Sequence, residues 1–228
     1  MARPRARHAP GDSGALAAST RDARVKAASQ ARRARRRQQL RESIMTAAQE
    51  LLGEGGAEAV TMRAIAERIG YSATTIYLHF EDRDALLFAL LDGAFAEFRA
   101  ALGTAAEGAE GAEAGIRAMG RAYVRFALEH PAQYRLMFVQ RPDYLLAHGP
   151  EETGARIESL GALAALAGES PAGRAGRSDG TLAADVLWAT VHGIAALATG
   201  VAMFDRARAE RATDEALELL IKGLWAAE

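Results

Sequence analysis

Apolar residues return at helical spacing from about residue 40 almost to the C-terminus. Leu40, Ile44, Ala47, Ala48 and Leu51 fall on one face, and the run GEGG at 53–56 ends that pattern. Thr61 is placed to cap a short helix with Met62, Ile65, Ala66 and Ile69 on one side, and Gly70 closes it after barely two turns. Ser72 is placed to cap the next helix, which turns Ile76 and Phe80 inward. A longer helix follows to about residue 101, carrying Leu86, Leu87, Leu90, Leu91, Ala94, Phe95 and Phe98. Two short helices joined by a glycine-containing turn and braced by longer ones predict a helix-turn-helix.

Beyond it, GTAAEGAEGAEAG at 103–115 reads as a soft linker or a frayed helix end. Ile116, Met119, Tyr123, Phe126 and Ala127 mark an amphipathic helix, and Pro131 opens a short one, PAQYRLMF. A helix around 151–168 and a flexible loop, GESPAGRAGRSDG at 168–180, come next. An apolar helix over about 181–205 and a last one from near Thr213, with Leu217, Leu220, Ile221, Leu224 and Trp225, finish the chain. Alternation of period two is missing, so the expected fold is all-α. Its parts are a disordered basic arm at 1–34 whose end can become helical, a helix-turn-helix domain at 35–91 and a helical body at 102–228.

Charge sharpens this division. Residues 1–45 hold twelve Lys or Arg against three acids, and the remainder holds sixteen against twenty-six. A basic arm on an acidic body points to a polyanionic partner for the arm. The chain has no cysteine, which excludes disulfides, thiolate metal sites and thiol nucleophiles. Phosphate-loop, H-E-x-x-H and G-x-S-x-G patterns are also missing, so no catalytic residue, metal or cofactor is expected. The first 30 residues build no apolar stretch of the secretory kind. Val186 to Phe204 approaches the length of a membrane span, but its Ala, Gly and Thr content fits a helix enclosed in an oligomer. The expected setting is the cytoplasm, with no membrane partner.

The stretch from Ala73 to His79 places hydroxyls, a phenol and an imidazole around a helix whose Ile76 points inward. Such groups suit phosphate oxygens, and a duplex major groove has room for the helix. Four motifs follow in order: T-x-R-x-I-A from Thr61, G-x-S from Gly70, I-Y-x-H-F from Ile76 and D-R-x-A-L-L from Asp82. Residues 38–91 thereby resemble the DNA-binding domain of the tetracycline-repressor (TetR) family of bacterial transcription regulators. The resemblance implies phosphate contacts by Thr61, Ser72, Thr75, Tyr77 and His79, with Tyr77 sometimes at a base. It puts Arg83 where the family usually has a phosphate-holding lysine, and Arg63 at a base edge or another phosphate. Arg41 is a further backbone candidate. Ala73, Thr74 and Leu78 would face bases, and Ala and Leu offer a thymine methyl only apolar contact.

EHPAQYRLMF at 129–138 and Trp188 followed by VHG at 191–193 resemble the C-terminal domain, named for Trp, His and Gly, that some TetR-type regulators carry. That resemblance implies a body that senses a small apolar or amphipathic effector and forms a homodimer through its last two helices. Met119, Tyr123, Phe126, Met137, Phe138, Trp188, His192 and Phe204 are the expected pocket residues. The function expected is a ligand-responsive repressor on a palindromic operator in double-stranded DNA; a low-specificity architectural DNA binder is the alternative. With the reading helix poor in hydrogen-bonding groups, the arginines at 32, 33 and 35–37 are expected to extend the contact along phosphates or a minor groove. Deleting residues 1–34 should flatten the dependence of duplex affinity on salt, measured by fluorescence anisotropy, and an unchanged slope would remove the arm from the interface.

Overall fold

The computed structural model describes the backbone of residues 12–140 and 150–226 and the side chains of 26–140 and 159–226. Every regular element among these residues is helical. Contacts divide the chain into two units, one up to Thr46 and one of Ala47–Glu228.

Helix α1, Asp12–Gly55, supplies all of the first unit that is described. Residues 12–34, expected as a disordered arm, are helical, and residues 1–11 lie outside the described residues. The physical reason is composition: Ala, Arg and Gln are strong helix formers and need no apolar stripe to adopt the helix. Arg32, Arg33, Arg35, Arg36 and Arg37 are exposed. Gln38 Nε2 donates to Glu42 Oε1 one turn on, at 2.9 Å.

The second unit begins with the end of α1, where Ala47, Ala48, Leu51 and Leu52 are buried. A single turn at Ala57–Ala59 leads to α2, Met62–Ile69. The Thr61 hydroxyl caps α2 by accepting the Ala64 N–H at 3.1 Å, and Gly70 ends it in the left-handed region at φ 73°. Helix α3, Ala73–Tyr77, is capped by Ser72, which accepts the Thr75 N–H at 3.3 Å. Ile76 and Phe80 are buried, as the spacing predicts.

Helix α4, Arg83–Glu107, starts on the Asp82 carboxylate, which accepts the Ala85 N–H at 2.7 Å. It runs past residue 101, because Ala105, Ala106 and Glu107 continue a helix easily; of the stretch read as a linker or a helix end, 103–107 end α4 and 108–111 connect it to the next helix. Then come α5 (Ala112–Glu129), α6 (Pro131–Arg135) with a π-turn at Leu136–Gln140, and α7 (Pro150–Gly168). The expected flexible loop holds a short helix, α8 (Pro171–Arg174), capped by the buried Ser170 hydroxyl, which accepts the Gly173 N–H at 3.0 Å.

Helix α9 spans Gly180–Gly200 and α10 spans Arg206–Trp225. The last helix therefore starts a full two turns before Thr213. Asp205 caps it by accepting the Arg208 N–H at 2.8 Å, and Thr213 is buried mid-helix with its hydroxyl on the Ala209 carbonyl at 2.7 Å. Ala209, Thr213, Leu217 and Ile221 form the inner stripe. Helix α5 packs against α4, α7, α9 and α10, so it is the centre of the body. Among the described residues only α9 is long and apolar enough to cross a membrane. Its Ala184, Leu187, Val191, Ile194 and Ala195 are buried within this helical body.

Candidate nucleic-acid interface and internal cavity

The polar groups of α3 stand as the sequence predicts around a buried Ile76. Tyr77 is 53% and Leu78 70% exposed, Thr74 is exposed, and Ala73, Thr75 and His79 are half-buried. Ser72 and Thr75 share a hydroxyl contact of 3.0 Å. A capping hydroxyl that accepts a backbone N–H keeps its own O–H as a donor, so Thr61 and Ser72 combine capping with the capacity to meet an outside oxygen.

The arginines divide by use. Arg63 is exposed and shares its guanidinium with Glu67 one turn on, at 2.8 Å. Arg41 is exposed within the first unit. Arg68 grips Glu54 in a two-pronged pair at 2.8 and 2.7 Å, anchoring α2 to the end of α1 and holding the Glu54 carboxyl below its ordinary range. Arg83, expected at a phosphate, is turned toward its own chain. Its Nε donates to the Val60 carbonyl at 2.9 Å and its Nη2 to the Ala57 carbonyl at 2.6 Å, with Glu58 3.8 Å away. The reason is geometric: the loop between α1 and α2 presents carbonyl oxygens to the start of α4, and a planar guanidinium reaches two of them.

A cavity of about 280 Å³ lies inside the second unit. Its walls are Phe95, Phe98 and Leu102 of α4, Ile116, Met119, Gly120 and Tyr123 of α5, and Phe138 beyond α6. Ser159, Leu160 and Leu163 of α7, Leu187, Trp188 and Val191 of α9, and Leu217 of α10 complete it. Four expected pocket residues, Met119, Tyr123, Phe138 and Trp188, are in the wall, and four are elsewhere. Phe126 is buried edge-on against Phe98, ring centres 5.2 Å apart, and Met137 is buried in the core. Phe204 sits between α9 and α10 under the Arg208 guanidinium, 5.2 Å from its ring centre.

His192 lies one layer behind the wall. Its Nδ1 is 2.9 Å from both the Tyr123 and the Tyr134 hydroxyl, and Trp188 Nε1 donates to the Tyr123 oxygen at 3.4 Å. Burial lowers the His192 pKa, raises that of Tyr123 well above its ordinary value and pushes Tyr134 up to about 12. The cluster is therefore a neutral ring between two neutral phenols. The sequence reading missed the α4 wall. Phe95, Phe98 and Leu102 lie farther along the helix than the two short helices extend, and that surplus apolar length was the available signal.

Comparison with known proteins adds the following. Residues 44–90 match the family model described as bacterial regulatory proteins, tetR family, and residues 116–224 match tetracyclin repressor-like, C-terminal domain. The chain is 42% identical over 52 residues to tetracycline repressor protein class C of Escherichia coli, and 44% over 50 residues to its class D protein. These stretches cover 23% and 22% of this chain and about a quarter of each repressor, 24% and 23%. A structure of a protein with unknown function from Rhodococcus sp. RHA1 is 33% identical, covering 82% of this chain and 96% of its own, with a TM-score of 0.70. A transcriptional regulator of the TetR/AcrR family from Thermobifida fusca YX-ER1, at 24% identity, 81% and 98% coverage and a TM-score of 0.61, shares the fold.

The lowered pKa of His192 makes its contribution to stability depend on pH. Above about pH 6.5 the ring is neutral folded and unfolded, and it adds no slope; as pH falls, the unfolded chain takes the proton first and stability is lost through the lowered native pKa. Urea unfolding at pH 7.5 and 5.0 should show a larger loss for the native chain than for His192→Gln. Equal losses would mean that His192 protonates as readily folded as unfolded.

Proposed function

Since this chain belongs to the tetR family of bacterial regulatory proteins, we propose that it is a repressor whose hold on a palindromic operator is set by a small molecule in the cavity of its body. The observation that carries this reading is the reach of α4. Its first residue, Arg83, holds the loop that leads into α2, and its later residues Phe95, Phe98 and Leu102 form a wall of the cavity. A ligand that displaces that wall displaces the start of the same helix. It releases DNA only to the extent that it binds the displaced arrangement more tightly.

On the DNA side, Thr61, Ser72, Thr75, Tyr77 and His79 take backbone phosphates, with Arg41 as a further contact. Arg63 takes a phosphate or a base edge, leaving Glu67 to do so. Ala73, Thr74 and Leu78 face bases. Arg83 acts through the loop it fixes. The arginines of α1 add a sequence-independent term. A homodimer supplies the two reading heads, and the surface of α9 supports that assembly. Leu182, Val186, Leu197 and Val201 are 62, 45, 45 and 44% exposed, with Ala189, Gly193 and Gly200 between them where a second helix can approach closely. The proposed organisation keeps a basic arm, a helix-turn-helix head and an effector-binding body, and it places the protein in the cytoplasm.

The test is a footprint of the purified protein on DNA upstream of its own gene across a salt series. A protected palindrome should persist at moderate salt, and Thr75→Val with Tyr77→Phe should weaken it by about 1 kcal/mol per lost phosphate contact without moving the melting temperature. Uniform, steeply salt-sensitive coverage of every duplex would instead indicate the architectural reading.

A further inference from the structure

We propose that the cavity takes a small, uncharged ring compound whose single hydrogen-bonding oxygen accepts the indole N–H of Trp188. The inference rests on reading this cavity as the effector site and goes further by naming the class of effector.

Size limits the ligand first. A volume of about 280 Å³ sits at the lower end of ligand pockets, with room for a molecule of about ten to fifteen non-hydrogen atoms. Shape and surface come next. Phe95, Phe98, Tyr123, Phe138 and Trp188 bring five aromatic side chains to the wall, and the remainder is mainly aliphatic. Aromatic walls favour a ring that they can meet edge-on or offset.

Charge is the decisive constraint. Among the described residues, the wall contains no Lys, Arg, His, Asp or Glu. The basic side chains on α5 nearest in sequence to its wall residues are engaged outside the wall: Arg117 with Glu218 at 2.9 Å and Glu113 at 3.2 Å, Arg121 with Asp214 at 2.7 Å. His192, behind Tyr123, is kept neutral by burial. A carboxylate or an ammonium entering this space would lose water and meet no opposite charge from the described wall, which disfavours its entry.

Among the described residues, the polar region of the wall that is tied to a hydrogen-bonded network is the Tyr123 and Trp188 corner. The Tyr123 hydroxyl is already 2.9 Å from His192 Nδ1. Trp188 Nε1 reaches that hydroxyl only at 3.4 Å, well beyond the usual N–H to O distance of about 2.9 Å. Of the two donors at this corner, the indole N–H is thus the one with more to gain from a new acceptor. A ketone, aldehyde, amide or ether oxygen provides one without a charge.

Calorimetric titration of the full chain with naphthalene, 2-acetonaphthone and 2-naphthoate tests this. The ketone and the carboxylate have the same outline and differ in charge. The ketone should bind at least about tenfold more tightly than 2-naphthoate and several-fold more tightly than naphthalene. Trp188 is 40% exposed, so Trp188→Phe leaves the core intact; it should abolish the ketone's advantage over naphthalene while naphthalene binds as before. Tyr123→Phe, which removes the competing acceptor of the indole N–H, should preserve or increase that advantage. Naphthoate binding as tightly as the ketone, none of the three binding, or a ketone advantage that survives Trp188→Phe would each overturn the proposal. Operator affinity measured in the same samples separates the two readings. Ketone binding without any change in operator affinity would uphold the ligand class and contradict the regulatory reading; operator release by naphthoate alone would do the reverse.

Discussion

The two hydrogen bonds from Arg83 to the carbonyls of Val60 and Ala57 join the start of α4 to the loop on which α2 depends. A charged donor on two backbone acceptors is stronger than a neutral pair, and the planar fork fixes direction as well as distance. That tie fixes the start of α4 in direction as well as in distance against the loop before α2. With it, the helix that forms one wall of the cavity also has a fixed grip on the head. The neighbouring Asp82 cap and the Arg68 pair with Glu54 stiffen the same region from either side.

The body solves a different problem. Around α5, polar groups are satisfied mostly outside the cavity: the hydroxyl of the wall residue Tyr123 turns to His192 behind it, Tyr134 shares that ring, Thr213 meets the Ala209 carbonyl, and Arg117 and Arg121 meet acids. The cavity is consequently lined by hydrocarbon and aromatic rings with very few polar atoms. In the proposed account this gives the effector its binding energy from apolar burial, while a few donors at one corner set its orientation.

The head was legible in the sequence because its signals are local. Thr61, Ser72 and Asp82 act as caps within three residues of the N–H groups they accept, and Gly70 takes the left-handed turn that its position demands. Ile76 and Phe80 face inward because helical spacing permits little else. What escaped depends on contacts distant in sequence. Arg83 reads as an exposed cation until the loop 23 to 26 residues before it is brought alongside. Phe204 and Met137 are as apolar as the true wall residues, and only the packing of α4, α5, α7 and α9 decides which side chains border the cavity. Thr213, near the expected start of α10, lies instead mid-helix, where a buried threonine satisfies itself on the preceding turn. The helix over residues 12–34 was missed for the opposite reason: it has propensity without periodicity.

The central claim is that the cavity and the reading head share α4 and therefore bias one equilibrium. Reciprocity makes this measurable in the direction opposite to induction. The most direct measurement is the affinity of 2-acetonaphthone for the free protein and for the protein saturated with its operator duplex. The account predicts weaker binding to the DNA complex, by the same factor by which the ketone weakens operator binding. Equal affinity for the two forms would contradict it, because α4 would then transmit nothing between them.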